Sequence, residues 1–213
     1  MQLITEIRSE MITQEKINEL IRKIDEKDER INALEDRVKV LENQNRLFER
    51  RLDDVESYGR RQNLRIVGIP PPPDGRKESA DEVFDKVVDV IGNLGIPNLD
   101  ANAVIDRAHR VGKKYTRDDT GEVIHPVIVR FTSWRARTTI YRKRERRAPV
   151  RFYTDLTKRR LELKKLADSK TKNNDKVKFA FADINNSIGI RLADESMRFF
   201  NSEEELDRIL QSL

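Results

Sequence analysis

Apolar side chains return every seven residues through the first quarter of the chain. Counting from Ile17, these positions are Ile17, Ile24, Ile31, Val38, Asn45 and Leu52. Three residues beyond each stand Leu20, Lys27, Leu34, Leu41, Phe48 and Val55. An a/d pattern sustained in this way predicts a coiled coil, a rod of roughly 60 Å at about 1.5 Å per residue. Within it the form R-h-x-x-h-E, with h apolar, recurs. Arg30 leads Ile31, Leu34 and Glu35; Arg37 leads Val38, Leu41 and Glu42; Arg51 leads Leu52, Val55 and Glu56. Each Arg falls at g and each Glu at e, where they can pair between neighbouring helices. Asn45 at an a position lowers stability but fixes register, and Lys27 at a d position weakens the seam locally. Residues 1–16 show helical spacing at Ile4, Ile7 and Met11 but do not share the later register, which predicts a shift near Gln14.

Beyond Tyr58 the pattern changes to short alternating runs. Gly59 fits the residue after a helix end. Leu64 to Ile69 predicts a strand, stopped by an exposed loop at Pro70 to Pro73. Val83, Val87, Ile91 and Leu94 predict a helix, with Ser79 and Glu82 as a capping box. Val104 to Val111 predicts a strand, Lys113 to Ile124 a polar loop and Pro126 to Phe131 a further strand. Ser133 to Arg147 reads as a basic helix and Val150 to Tyr153 as a strand. The order is β-α-β-β-α-β, the split βαβ arrangement. Then come a helix at Thr157 to Ala167, a strand at Val177 to Asp183 with Phe179 and Phe181 on one face, and a turn at Asn185 to Ser187. A second strand, Ile188 to Leu192, and a helix capped by Ser202 follow. The expected fold class is α+β. A long N-terminal coiled coil (1–58) leads to an RNA-recognition-like domain (59–154) and a small α-β-β-α lobe (155–213).

Charge sharpens this picture. The net charge of +5 conceals −4 over residues 1–58 and +11 over the 41 residues 126–166, where 14 Lys and Arg face three acids. A local excess of that size fits a polyanionic partner. It is interleaved with Trp134, Tyr141, Phe152 and Tyr153, as single-strand binding requires. Arg65 and Arg130 stand where RNA-recognition sheets carry aromatics, so plain base stacking on that sheet is not expected.

The absent chemistry is equally informative. There is no Cys, so no disulfide framework or thiolate metal site. No apolar run reaches membrane-spanning length, and the first residues do not read as a signal peptide. No phosphate-binding glycine loop or metal-binding His pair occurs. His109 and His125 read as structural or surface residues, and Asp118-Asp119 as a solvated turn. No catalytic site, metal or cofactor is expected. Binding remains. Single-stranded nucleic acid is one reading; the alternative is a coiled-coil scaffold whose basic globular end binds an acidic protein.

Tyr58-Gly59-Arg60-Arg61-Gln62-Asn63-Leu64-Arg65-Ile66-Val67-Gly68-Ile69-Pro70 resembles the junction that opens the RNA-binding domain in first-open-reading-frame proteins of LINE-type non-LTR retrotransposons. Arg107-Ala108-His109-Arg110-Val111-Gly112, Arg130-Phe131 and Arg151-Phe152-Tyr153-Thr154-Asp155-Leu156-Thr157 resemble later signatures of that family. The R-h-x-x-h-E repeat is similar to a trimerisation motif of parallel coiled coils. The resemblance spans nearly the whole chain. It implies a homotrimer that coats single-stranded RNA, or single-stranded DNA, and acts as a nucleic-acid chaperone in cytoplasmic ribonucleoprotein particles or the nucleus. A host protein derived from such an element would look the same. By the resemblance, Arg60, Arg61, Arg65, Arg110, Arg130 and Arg151 are candidate contacts. The basic run adds Arg135, Arg137, Arg142, Arg146, Arg147, Tyr153, Lys158, Arg159 and Arg160.

Overall fold

A computed structural model of the chain describes residues 14–72, 76–116, 121, 123–145 and 148–213. The expectations for residues 1–13, Pro73, Asp118-Asp119, Arg146 and Arg147 lie outside the described residues. The fold is α+β: a long N-terminal helix, then antiparallel sheets. The chain divides into two compact units, Met1–Leu52 and Asp53–Leu213.

Helix α1, Gln14–Arg60, carries the heptad without a break. Gly59 lies inside it rather than after it. The apolar seam side chains are exposed among the described residues, from 38% at Ile17 to 71% at Val55. Around the seam the helix makes exposed ion pairs one turn apart, such as Arg22–Glu26 at 3.1 Å and Lys23–Glu19 at 2.6 Å. Each such pair contributes only about 0.3–0.5 kcal/mol.

In the second unit, β1 (Asn63–Val67) turns Leu64 and Ile66 inward and Asn63, Arg65 and Val67 to the opposite face. Gly68 follows with φ +98°, and a Cβ there would collide with the Pro149 carbonyl. Only glycine fits. Helix α2 (Ala80–Gly92) begins at the expected capping box. The Ser79 hydroxyl accepts from the Glu82 N–H at 3.1 Å, and Glu82 accepts from the Ser79 N–H at 2.9 Å. Hydrogen bonds from the Arg76 guanidinium and the Ser79 N–H hold the Glu82 carboxyl down at about 2. Val83, Val87 and Ile91, four residues apart, are its buried stripe.

A single turn, α3 (Ala101–Val104), precedes β2 (Ile105–Arg110). Asp100 caps that turn, so the strand starts one residue later than the apolar pattern suggests. The expected polar loop contains a small ribbon, β3 (Tyr115–Thr116) and β4 (Val123–Ile124). Next come β5 (Val127–Phe131), α4 (Trp134–Lys143) and β6 (Arg151–Thr154). The sheet order is β2-β5-β1-β6, all antiparallel. Its core joins Leu64, Ile66, Val127, Val129, Phe131 and Phe152 to the α2 stripe and Ile140 of α4.

The last part holds α5 (Lys158–Thr171), β7 (Val177–Ala182), β8 (Ile188–Leu192), β9 (Met197–Phe200) and α6 (Glu203–Gln211). The order is α-β-β-β-α rather than the expected α-β-β-α. Strand β9 reads Met-Arg-Phe-Phe and buries only Phe200, so it has no alternation to betray it. Ser202 caps α6 as expected, but the Glu205 carboxylate reaches the Asn201 N–H, not that of Ser202. A second core forms from Ala167, Val177, Ala180, Ile188, Ile190, Leu192, Phe200 and Leu206, with partly buried leucines and Ile209 packed around it.

Candidate nucleic-acid interface

The basic run supplies many cations, and the fold uses part of them internally. Arg137 is fully buried. Its Nε donates to the Asn63 carbonyl at 3.3 Å and its Nη1 to the Ile184 carbonyl at 2.7 Å. It therefore ties β1 of the first sheet to the turn between β7 and β8. Burial pushes its guanidinium down to about 10, still charged at neutral pH. Arg160 is held on three sides. It donates to Asp53 at 2.8 Å, to Asp54 at 2.8 Å and to the Asn186 carbonyl at 3.0 Å. Arg110 is nearly buried against Glu78 at 2.7 Å and also donates to the Ile69, Pro70 and His125 carbonyls. These three arginines leave little surface for a phosphate.

Glu78 illustrates the energetics of that anchoring. Burial raises its carboxyl, but hydrogen bonds from Arg110 and Lys86 outweigh it, and the net shift is below the ordinary value of 4.5. A depressed carboxylate contributes stability that is fully present above its unfolded-state value and is lost as pH falls through the folded-state value. Glu78→Gln is expected to lower stability by about 2 kcal/mol at neutral pH, the scale of a hydrogen bond to a charged group. It should also weaken the fall of stability below pH 4.5. Thermal unfolding across a pH series measures both, and parallel curves for variant and parent would contradict the assignment.

A second acidic anchor sits where α1 meets β6. The side chain of Asp155 is 3% exposed and draws in Arg60 at 3.2 Å and Arg65 at 3.7 Å. The Asn63 amide donates to it at 3.1 Å. Arg60 also holds Glu56 at 2.7 Å. Arg60 and Arg65 remain over a third exposed, so they are positioned rather than consumed.

Six cations, Arg65, Arg142, Arg144, Lys164, Lys165 and Arg191, line one cleft of about 860 Å³. One wall is Arg65, Tyr153 and Thr154 of the first sheet with Tyr141, Arg142 and Arg144 of the α4 end. The other is Leu161, Lys164 and Lys165 of α5 with Phe179, Phe181 and Arg191. Arg65 and Tyr153 are cross-strand partners on the open face of the sheet. The Arg144 guanidinium lies over the Tyr141 ring at 3.4 Å, which fixes both. Strands β6 and β7, which line the cleft, are each the outer strand of their sheet. The arrangement offers point charges for phosphates and flat π-faces for bases.

Other expected residues lie outside this lining. Arg130 sits on the open sheet face opposite Asn63, with Asp106 at 3.4 Å. Arg151 lies opposite Val67 and is exposed, as are Arg135 and Lys158. Arg159 donates to the Asn201 carbonyl at 3.1 Å. Arg61 stacks on Tyr58 at 3.7 Å beside Trp134, in a smaller hollow that Arg160 also lines. Lys164, Lys165, Arg191 and Met197 also line the cleft, with Arg144 from the expected basic stretch at Arg142 to Arg147. The two lysines belong to the basic run; Arg191 lies in a strand whose sequence signal is its apolar inner face, and Met197 in β9, which the apolar pattern does not predict.

Among the described residues, no group of His, Cys, Asp and Glu could hold a metal ion. No helix among them is long and apolar enough to cross a membrane. No protein-family model and no curated protein matches this chain.

Proposed function

We propose that this chain is a homotrimeric single-stranded RNA-binding protein of the LINE first-open-reading-frame type, with nucleic-acid chaperone activity, packaging RNA into a ribonucleoprotein particle. The observation that carries the reading is the cleft in which Arg65, Arg142, Arg144, Lys164, Lys165 and Arg191 surround exposed aromatic rings. A purely structural basic surface has no need of half-exposed Tyr153 and Phe179 among its cations. The strand order β2-β5-β1-β6 suits an RNA-recognition-like domain. Assembly in threes is favoured by the uncovered seam of α1. Arg30, Glu35, Arg37 and Glu42 make no ion pair with another described residue, so they are available to a neighbouring helix. Phosphate-led contacts bind many sequences and exchange readily, which suits strand annealing.

Binding of single-stranded RNA is expected to weaken steeply with salt, by about 0.7 in logarithmic slope per phosphate contact. Arg65→Ala and Arg142→Ala should each lower affinity and reduce that slope by about 0.7. Fluorescence-anisotropy titrations at several salt concentrations measure this. A salt-independent affinity, or no binding at low salt, would overturn the reading in favour of an acidic protein partner.

A further inference from the structure

The three-stranded sheet has two unlike faces. The inner face buries Ala180, Ile188, Ile190, Leu192 and Phe200 beneath α5 and α6. The outer face carries two cross-strand rows. Phe181 lies opposite Gly189, and Gly189 opposite Phe199; beside them run Phe179, Arg191 and Met197. Gly189 explains the first row. With no side chain on the middle strand, the rings of Phe181 and Phe199 close over it edge to face, centroids 5.7 Å apart. A Cβ at Gly189 would meet both rings at 3.1 Å and the Arg198 carbonyl at 2.9 Å. Phe179 meets Phe181 in the same edge-on way at 6.2 Å. Three rings thus form one continuous surface, with Phe179 49% and Phe199 50% exposed.

An aromatic surface left in water gains nothing from burial, and a contiguous one marks a binding site. Its surroundings say what binds. Arg191 stands in the second row, and Lys164 and Lys165 of α5 line the same cleft with Arg65 and Arg142. Asp168 and Asp183 also line the cleft, with Lys164 paired to Asp168 and Arg191 to Glu195. The six cations outnumber these carboxylates, and apolar rings within that frame complement a polyanion with exposed flat apolar groups.

We propose that this face is a stacking platform for the unpaired bases of a single-stranded nucleic acid, with the phosphates lying along the cations. The inference rests on the function proposed above and assigns the reading of bases to the C-terminal sheet. The four-stranded sheet presents Arg65 and Arg130 on its middle strands; these are suited to phosphate and to fixing the strand's path. Every base has a π-face, so the platform accepts many sequences. A duplex hides those faces inside its own stack, so the platform selects single strands.

The test uses the full chain and a single-stranded RNA oligonucleotide carrying a fluorescent purine whose emission is quenched by stacking, with a duplex of the same sequence alongside. Phe179→Leu and Phe199→Leu keep apolar bulk at exposed positions and remove the π-face. Each is expected to weaken single-strand binding by about fivefold to a hundredfold and to relieve the quench. The salt slope should stay unchanged, because the phosphate contacts are intact. Single-strand affinity and quench equal to the parent's would overturn the platform while leaving RNA binding standing. An equal loss for duplex and single strand would overturn it too. A reduced sedimenting mass with unchanged RNA affinity would make this face a contact between copies of the chain, and would also overturn it. Failure of the parent protein itself to bind RNA at low salt would sink the functional reading, and the platform with it.

Discussion

On the proposed function, Leu34→Lys combined with Leu41→Lys is expected to convert the trimer into monomers and to weaken binding to long RNA by about two to four orders of magnitude. Both leucines occupy d positions and are just over half exposed in the single chain. In a coiled coil each would be buried as a knob, contributing about 2 kcal/mol per side chain. Lysine forfeits that burial, and several chains would bring like charges together on one seam. The cleft residues lie in the second unit, from Asp53 onward, so each monomer keeps its binding surface. What is lost is the rebinding that follows when neighbouring copies hold the same strand. Short oligonucleotides, which one copy can cover, should bind nearly as before. Sedimentation gives the mass and titration with long and short RNA gives the avidity. A parent protein that sediments as a monomer or dimer would refute the trimer. Equal losses for short and long RNA would refute the avidity account.

Patterns fixed by nearby residues were legible in the sequence. The heptad, the Ser79–Glu82 box and the Ser202 cap depend on residues within a few positions of each other. Elements whose reason lies elsewhere were not. Strand β9 exists because β8 offers it an edge; Met197, Arg198 and Phe199 show no inward alternation. The +11 run announced a polyanion partner, but nothing local separates a binding arginine from a structural one. Arg137 reaches a carbonyl 47 residues away, Arg110 a carboxylate 32 away and Arg160 one 107 away. Alternation predicts that Phe179 and Phe181 share a face, and they do. Alternation could not say that this face is the outer one. An irregularity between Val177 and Phe179 turns Val177 and Ala180 inward and leaves the rings outside.

Arg137→Ala is expected to cost about 3–5 kcal/mol, the largest stability effect of any single substitution in the basic run. The side chain is fully buried and among the largest so placed. Its removal leaves a cavity and strips the Asn63 and Ile184 carbonyls of their donors at 3.3 and 2.7 Å. Asn63 lies in β1 of the first sheet and Ile184 in the turn between β7 and β8 of the second, and each sheet has its own apolar core. The variant should therefore also loosen the coupling between the two cores. Its unfolding should broaden or split further than the parent's. Arg137→Met separates the contributions. Methionine restores most of the volume and removes a buried charge that burial itself disfavours, but it donates nothing to either carbonyl. Its cost should be about 1–3 kcal/mol, the scale of the two lost hydrogen bonds against the relieved desolvation. Denaturant unfolding followed by the fluorescence of Trp134, which starts the helix that carries Arg137, measures all three proteins. An unchanged midpoint for Arg137→Ala would mean that the side chain is dispensable to the fold and is free to be counted among the RNA contacts after all.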